Sequence, residues 1–429
     1  MAIQVTGEAI LPAGHAGENV TTLLSEQYTG HTGLRRAQFR SYEADSDFWE
    51  GHAVRYSDDN GRTWGPWEDF HSKIYSQAAD GSWEMLYNGF TANRWNPVHK
   101  HYFGVGMHMV WHKGHKESYD AYFSRGEPMT WYHAYMLVRQ EGGGEPEARL
   151  IRFEPGPDFN PEDPADEAHG LSNYAYYYMT PVVAPNGDVL LGISPRMSTC
   201  LKLLGRGPEE ITGSSGNCGL LLARGVWNGE RYDFTFSRPV VISDLLSSRG
   251  IDEPTTALLN SGRIVVVFRG SNWRANWTRI EPGAPGFKWY CASDDGGKTF
   301  TDPAPWRFDD GEVIYSSATV SHFIRAEKNG KLYWVGNITG HHVDGNYPRW
   351  PLQIVEVDEQ YGTAKKETLT VIDTKREWES DKVQLSNFNI LQDRETGNIE
   401  LLLAKYGQIG HDPETYHCET WKYTIDVEG

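Results

Sequence analysis

The octapeptide Ser57-Asp58-Asp59-Asn60-Gly61-Arg62-Thr63-Trp64 recurs as Ser293-Asp294-Asp295-Gly296-Gly297-Lys298-Thr299-Phe300. Both fit the pattern S-x-D-x-G-x-T-[WF], and each follows an alternating run, HAVRYS in the first case and KWYCAS in the second. Alternation predicts a strand, and closely spaced Asp and Gly predict a turn. The sequence therefore predicts two hairpins of the same design within a β-rich chain.

Weaker versions of this pattern occur along the rest of the chain. The turns APNGD, LNSGR, EKNGK and DRETGN each precede an apolar run: VLLGI, IVVVF, LYWVG or IELLLA. Their spacing implies one unit per about 60 to 70 residues, which suits four-stranded propeller blades. Six blades are predicted at roughly 13–75, 76–165, 166–245, 246–310, 311–375 and 376–429. The N-terminal strand QVTGEAIL is expected to close the last blade beside WKYTIDV.

Composition favours a single large all-β domain over the whole chain, 1–429. Aromatic residues make up 13% of the 429 residues, and 45 Gly and 22 Pro interrupt the chain at short intervals. Many short strands joined by turns in a closed structure fit this mixture. The predicted fold is an all-β, six-bladed β-propeller of four-stranded antiparallel blades.

Charge and hydropathy patterning narrow the possible partners. The formal net charge is −18, and no basic stripe is present to neutralise phosphates, which argues against nucleic acid. The sequence contains no apolar stretch of about 18 residues, so no membrane span is predicted. The start MAIQVTGEAI lacks the basic and apolar regions of an export signal, so we expect a cytoplasmic protein. The oligomeric state is left open.

Cysteine and histidine spacing predicts neither a metal site nor a cofactor. The cysteines are far apart and form no C-x-x-C pair, so free and mostly buried thiols are expected at Cys200, Cys218, Cys291 and Cys418. A histidine run, NPVHKHYFGVGMHMVWHKGHK, contains no H-E-x-x-H. His99 and His101, two apart in a predicted strand, would share one face, and His99 is kept as a candidate substrate-binding residue.

The two octapeptides and the order of the other motifs resemble the sialidase superfamily, whose propellers carry such turns as Asp boxes, or BNR repeats. The resemblance extends over nearly the full length. It implies an enzyme that cleaves carbohydrate. It also implies an arginine and an acid/base aspartate in the first blade, a glutamate shortly before a second arginine, a late arginine and a tyrosine nucleophile.

The blade-one counterparts lie in Gln38-Phe39-Arg40 and the acidic residues after it. Asp47 resembles the family's acid/base aspartate, Asp45 is the alternate, and Arg40 resembles a substrate-binding arginine. Trp49 adjoins them and is a candidate for stacking on a sugar ring. An ordinary solvated acidic loop remains the alternative, because acidic side chains are usually exposed.

The Glu and second Arg counterparts lie in Asp252-Glu253-Pro254 and in Arg269, which closes the segment TTALLNSGRIVVVFRG. By resemblance, Glu253 is a candidate catalytic residue and Arg269 a candidate ligand of a substrate carboxylate. A strand-turn-strand between them would bring the two side chains onto neighbouring strands. A purely structural ion pair is the alternative.

The late arginine is matched by Arg349 in YPRWPL, directly before the strand QIVEV. Its guanidinium is suited to bidentate binding of a carboxylate. Trp350, next to it, is a second candidate for stacking on a sugar. A plain surface arginine is the alternative.

Two departures separate the chain from the sialidase pattern. The stretch GHAGENVTTL lacks the first arginine of the F/Y-R-I-P motif, and Leu385 stands where the family has its tyrosine nucleophile. Sialic acid is therefore not the expected substrate. Tyr315, or His342 in the pair His341-His342, is a candidate replacement nucleophile or base.

Three functions remain open. The first is an exo-acting glycoside hydrolase for an acidic or unusual sugar, with Asp47 as acid and Glu253 as base or nucleophile partner. The second is a polysaccharide lyase in which His or Tyr removes a proton and Arg neutralises a uronate. The third is a sugar-binding propeller without catalysis.

Overall fold

The fold is all-β, and its class is the six-bladed β-propeller, as predicted. The computed structural model describes residues 3–45, 48–70, 76–77, 83–88, 92–112, 130–163, 166–210, 217–274, 278–343, 345–410 and 416–428. Their strands form six antiparallel sheets. Helix in this part of the chain is limited to α1 (Glu167–Leu171), α2 (Met197–Leu203) and 3₁₀ turns at Pro208–Glu210 and Lys366–Thr368.

The chain divides into two compact units. The first consists of Met1–His71, Pro285–Lys288 and Pro305–Gly429, and the second of Ser72–Ala284 and Trp289–Ala304. The predicted single domain over 1–429 stays a prediction.

The first unit holds three four-stranded sheets, in the orders β2-β3-β4-β5, β21-β22-β23-β24 and β1-β27-β26-β25. N-terminal strand β1 lies antiparallel to β27 and completes the last of these sheets. The strands are β1 (Gln4–Leu11), β2 (Thr21–Tyr28), β3 (Arg36–Asp45), β4 (Phe48–Ser57), β5 (Glu68–Asp69), β21 (His322–Arg325), β22 (Leu332–Asn337), β23 (Leu352–Glu356), β24 (Thr370–Asp373), β25 (Asn389–Gln392), β26 (Ile399–Ala404) and β27 (Thr420–Asp426).

The second unit holds the other three sheets, two of which carry an extra short strand. Their orders are β11-β10-β9-β7-β6 with β8 on β9, β12-β14-β15-β16 with β13 on β14, and β17-β18-β19-β20. The strands are β6 (Ser76–Gln77), β7 (Trp83–Asn88), β8 (Arg94–Asn96), β9 (His101–His112), β10 (Thr130–Gln140), β11 (Glu147–Leu150), β12 (Ala175–Tyr176), β13 (Val182–Val183), β14 (Val189–Pro195), β15 (Leu221–Trp227), β16 (Tyr232–Phe236), β17 (Asp252–Leu258), β18 (Ile264–Arg269), β19 (Lys288–Ser293) and β20 (Ala304–Pro305), the last two of which have one end residue in the first unit.

The two octapeptides form the same hydrogen-bonded turn. In the first, the Ser57 hydroxyl donates to Asp59 at 2.8 Å and accepts from the Gly61 amide, while Asp59 accepts from both the amide and the hydroxyl of Thr63. The hydroxyl and amide of Thr63, together with Ser57, lower the pKa of Asp59 to about 2. The second octapeptide repeats these bonds among Ser293, Asp295, Gly297 and Thr299. The glycines at both fifth positions have φ of 85°, which other residues rarely adopt.

Two expectations drawn from the sequence can be compared with the structure. All four cysteines are free and buried, as predicted. Within the described part of the chain, none of the helices is both long and apolar enough to cross a membrane.

Candidate functional site

The β17–β18 hairpin of the second unit brings Glu253 and Arg269 together. Asp252 lies opposite Arg269 in the register, which then shifts before Thr255. Glu253 sits at this irregularity with φ of 46°. An irregularity of this kind changes the direction in which a side chain points. It allows the Glu253 carboxylate to face the guanidinium of Arg269 across the hairpin. Arg269 Nη1 donates to both carboxylate oxygens of Glu253 at 3.0 Å, and both side chains are nearly buried.

Opposing effects set the ionisation of this hairpin. Burial disfavours the charged guanidinium of Arg269, but the attraction of Glu253 and Asp252 outweighs burial and raises its pKa. Burial raises the pKa of Asp252, against the attraction of Arg249 and Arg269. A carboxyl group with a raised pKa retains its proton longer and is suited to act as a general acid.

Tyr176, at the end of β12, lies within electrostatic reach of the hairpin. Burial, followed by the negative charge of Glu253, raises the pKa of the phenol well above its usual value. Its ring meets that of Tyr132 edge-on at 5.3 Å and lies parallel to that of Tyr178 at 6.4 Å. Burial and the nearby negative charge thus favour the protonated phenol of Tyr176, whose ring has an aromatic neighbour on two sides.

Arg196, the residue that precedes α2, is a buried cation in the same unit. Its guanidinium lies over the ring of Tyr174 at 4.3 Å. Its Nε and Nη2 are buried and have no hydrogen-bond acceptor among the described residues, and no described carboxylate forms an ion pair with it. The ring of Tyr174 meets that of Tyr132, which in turn contacts Tyr176. An aromatic cluster thus extends from Arg196 to the phenol.

A group of three buried histidines also lies in this unit. His133 on β10 stands opposite His108 on β9, and His169 of α1 stacks on His133 with 4.2 Å between ring centres. Each offers one ring nitrogen, and these three atoms lie within 4.8 Å of one another. In the described part of the chain, this is the set of side chains whose geometry suits a metal ion.

The structure corrects the arrangement predicted for His99. His99 lies in a turn before β9, whereas His101 begins that strand. The turn forms because the Asn96 side chain accepts hydrogen bonds from the amides of Val98 and His99. His101 lies within 2.8 Å of the Tyr232 hydroxyl, and the His99 ring is nearly parallel to it at 6.1 Å. His99 is therefore not a strand residue, although its ring lies parallel to that of His101.

The predicted blade-one residues belong to the first unit. Arg40, on β3, lies between the rings of Tyr42 at 4.9 Å and Trp67 at 4.5 Å. Asp45 ends β3 and Trp49 belongs to β4, and for both only the backbone is described. Asp47 lies outside the described residues. Its role as the acid stays a prediction.

The other predicted residues of the first unit lie in separate polar and apolar surroundings. Arg349 Nη1 donates to the Gln384 side chain at 2.6 Å, and its Nε donates to the Asn346 carbonyl at 3.1 Å. The half-buried Tyr315 stacks on Phe287 at 5.4 Å. The half-buried Trp350 packs against the core, and His342 is exposed. Leu385, at the position where the resemblance expects a tyrosine, is fully buried in the same core.

Sequence reasoning missed several candidate residues of the second unit: Tyr176, Arg196, His108, His133 and His169. The aromatic cluster NYAYYYM, 173–179, was a visible signal for Tyr176, because tyrosines can stack on sugars. Arg196 gave no signal, since it follows an apolar strand with no motif around it. The histidines lie in three separate segments, so no short spacing connects them.

Among the comparisons with known proteins, one solved structure supports the fold. No family model matches the chain, and no curated protein matches it. A protein of unknown function from Dyadobacter fermentans has a similar structure, with a TM-score of 0.54 and 13% identity over 99% of both chains. A K499G mutant of NanB sialidase from Streptococcus pneumoniae has a TM-score of 0.48 at 13% identity, over 94% of this chain and 68% of that one. The intramolecular trans-sialidase from Ruminococcus gnavus, in complex with oseltamivir carboxylate, gives 0.44 at 8% identity over 95% and 94%.

Proposed function

We propose that this protein is a carbohydrate-active enzyme that hydrolyses a glycosidic bond in a substrate carrying a carboxylate. The observation that carries the proposal is the position of Tyr176. Its phenol lies in the field of Glu253 and Asp252, in an aromatic cluster that also holds Arg196. A nucleophile, two carboxyl groups and a cation are the groups that such a reaction uses.

The aromatic surface supports binding of a sugar. Tyr178 is 41% exposed, and its ring is parallel to that of Tyr176 within 6°. Sugar rings present apolar faces that pack on flat aromatic side chains, while their hydroxyl groups reach polar tips. Tyr178 is therefore the proposed platform, with the reacting phenol of Tyr176 beside it.

Arg196 supports a substrate with a carboxylate. A buried donor without an acceptor costs about 1–3 kcal/mol, and more when the group is charged. A carboxylate can accept two parallel hydrogen bonds from one guanidinium, so an acidic sugar would satisfy both Nε and Nη2. A neutral sugar would leave this charge unbalanced.

The roles of the residues follow from their ionisation. As the Tyr176 oxygen attacks the anomeric carbon, its proton passes to Glu253, and the proton of Asp252 passes to the departing glycosidic oxygen. In the second half, water attacks the same carbon and gives a proton to Asp252, while the phenol leaves and regains its proton from Glu253. Arg269 holds the Glu253 carboxylate in place throughout.

A lyase is the second candidate, and one observation favours it. Both oxygens of Glu253 already accept from Arg269, so this carboxylate is less available as a proton acceptor. Tyr176 and Arg196 would then act alone: the phenolate removes the proton next to a uronate carboxylate that the arginine neutralises. The raised pKa of Tyr176 counts against this candidate, because the phenol stays protonated at neutral pH and the lyase needs the phenolate.

The test is a substrate panel with two readouts. Polygalacturonate, alginate, hyaluronan, chondroitin sulfate and aryl glucuronides are incubated with the protein, and new reducing ends or released aryl groups are measured together with near-ultraviolet absorbance. Cleavage without new absorbance is expected for hydrolysis. If near-ultraviolet absorbance rises in step with cleavage, the reaction is elimination and not hydrolysis. Binding without cleavage would leave a sugar-binding propeller.

An aryl N-acetylneuraminide in the same panel tests the departures from the sialidase pattern. We expect negligible turnover, because the position of the family's nucleophile holds the buried Leu385. Efficient release of the aryl group would overturn this expectation. The roles predicted for Asp47, Asp45, Arg40, Arg349 and Tyr315 are not used in this mechanism and stay predictions.

A further inference from the structure

The three histidines of the second unit converge from different segments. His108 and His133 are direct cross-strand partners on β9 and β10, and His169 is supplied by α1. A Cβ added to Gly170 would come within 2.2 Å of the Trp131 ring, so the glycine allows α1 to lie flat on β10. The fold therefore brings His169 against the strand pair by close backbone packing.

Backbone carbonyls fix the tautomers of two of these rings. His133 Nε2 lies 3.1 Å from the His169 carbonyl and 3.2 Å from that of Ser172, so it carries the proton and donates. His169 Nδ1 likewise lies 3.3 Å from the Pro157 carbonyl. The lone pairs are then on His133 Nδ1 and His169 Nε2. Neither of these buried atoms has a hydrogen-bond partner among the described residues.

We infer that His108, His133 and His169 form a site for a divalent transition-metal ion, for which Zn²⁺ is the best fit. Metal-binding histidines commonly donate their other ring N–H to a backbone carbonyl, as His133 and His169 do here. Tetrahedral zinc with nitrogens at about 2.0–2.1 Å separates its ligand atoms by about 3.4 Å. The three ligand atoms lie within 4.8 Å of one another, so the rings must rotate to reach that separation when the ion binds. Three protein ligands leave a fourth position for water.

An open groove lies next to the site. The Phe159 ring is 4.3 Å from that of His108 and 5.4 Å from that of His169. Phe159 and Tyr135 also line an open groove of about 790 Å³ that extends to β11 and β16. Rotation of one aromatic ring would connect the histidines with this groove. The sequence predicts no metal site, because no two of the three histidines lie at a recognisable ligand spacing.

The experiment measures the metal directly. Protein stripped with dipicolinate is titrated with Zn²⁺ and, separately, with Co²⁺, whose visible absorption is strong when it is tetrahedral. We expect one equivalent to bind, a higher melting temperature with Zn²⁺, and tetrahedral Co²⁺ bands. His169→Gln should lose the bands and the increase in melting temperature. His101→Gln, at a buried histidine outside the group, should keep both.

Three results would overturn the inference: no binding by the wild type, equal binding by His169→Gln, or the weak bands of octahedral Co²⁺. If His169→Gln does not fold, X-ray absorption of the zinc-loaded wild type counts the imidazole ligands, and fewer than three would overturn it. None of these readouts depends on catalysis. Failure of the proposed hydrolase therefore leaves the metal site standing, and the reverse also holds.

Discussion

Arg269 and Arg196 are both nearly buried in the second unit, yet they have opposite surroundings. Arg269 meets Glu253 through two hydrogen bonds of 3.0 Å, with Asp252 opposite it in the hairpin. Arg196 lies on Tyr174, and two of its nitrogens meet no acceptor among the described residues. The first unit gives a third case, the fully buried Arg36, which pairs with Glu26, Asp393 and Glu400.

The fold provides carboxylate partners for the guanidinium groups of Arg36 and Arg269. It provides no such partner for that of Arg196 among the described residues. A buried guanidinium without a carboxylate partner carries a desolvation penalty of several kcal/mol. Arg36 and Arg269 offset this penalty with internal carboxylates. Arg196 would offset it with a bound anion, which is why the proposed function gives Arg196 the substrate carboxylate and gives Arg269 a supporting role.

The largest expected effect belongs to Tyr176→Phe, which removes only the hydroxyl group. Loss of an essential proton-transferring or nucleophilic group should reduce kcat by about a hundredfold to ten-thousandfold. The melting temperature should stay near that of the wild type. Tyr178→Phe is the matched control: it removes a hydroxyl group from the exposed neighbour but keeps the aromatic ring of the proposed platform, so it should keep most of the activity. Normal turnover by Tyr176→Phe would remove the phenol from the mechanism.

Glu253→Gln tests Arg269, the arginine of the second unit that has an internal carboxylate partner. Removing one partner of a buried ion pair should destabilise the protein by about 3–5 kcal/mol, seen as a lower midpoint in urea unfolding. Turnover per folded molecule should fall as well if Glu253 accepts the phenol proton. A lower midpoint with intact turnover would contradict the hydrolase and favour elimination, in which this carboxylate does not react.

The sequence predicts the features of this protein that depend on local chemistry. The octapeptide turn is held by bonds between residues at most four apart, so Ser57–Trp64 and Ser293–Phe300 could be recognised without a structure. The adjacency of Glu253 and Arg269 follows from one hairpin. The six sheets follow from the repetition of such hairpins.

The rest of the candidate site depends on packing between segments. Tyr176 lies on a two-residue strand, Arg196 precedes a short helix, and His169 belongs to a helix of five residues. Elements this short have no periodicity from which a buried face could be derived. For His99 the sequence predicts a strand that the structure does not have. The Asn96 side chain accepts a hydrogen bond from the His99 amide and holds this segment in a turn.

Acid sensitivity extends the comparison to a buried histidine, His101, whose Nε2 lies 2.8 Å from the Tyr232 hydroxyl. Burial, followed by the charge of His99, lowers the pKa of His101 to about 4. The unfolded chain protonates this ring near its ordinary value of 6.5, so stability should fall as the pH drops from about 6.5 to about 4, by up to about 3 kcal/mol. Urea unfolding at both ends of this range should show a smaller loss for His101→Gln. The exposed His342→Gln is the control, and an equal loss in both variants would contradict the assignment.

The smallest expected effect, and the most direct test of the comparison, is a lysine at each of the two arginines. Lysine keeps the charge but cannot offer the planar pair of donors. Losing one charge-assisted hydrogen bond costs about 1.5–3 kcal/mol, so Arg196→Lys should raise KM for the acidic substrate about tenfold to a hundredfold with little change in melting temperature. Arg269→Lys should instead lower the melting temperature, because the bonds it weakens are internal. If KM rises only in Arg269→Lys, the substrate carboxylate belongs to Arg269, as the resemblance to sialidases implies, and Arg196 is a structural cation.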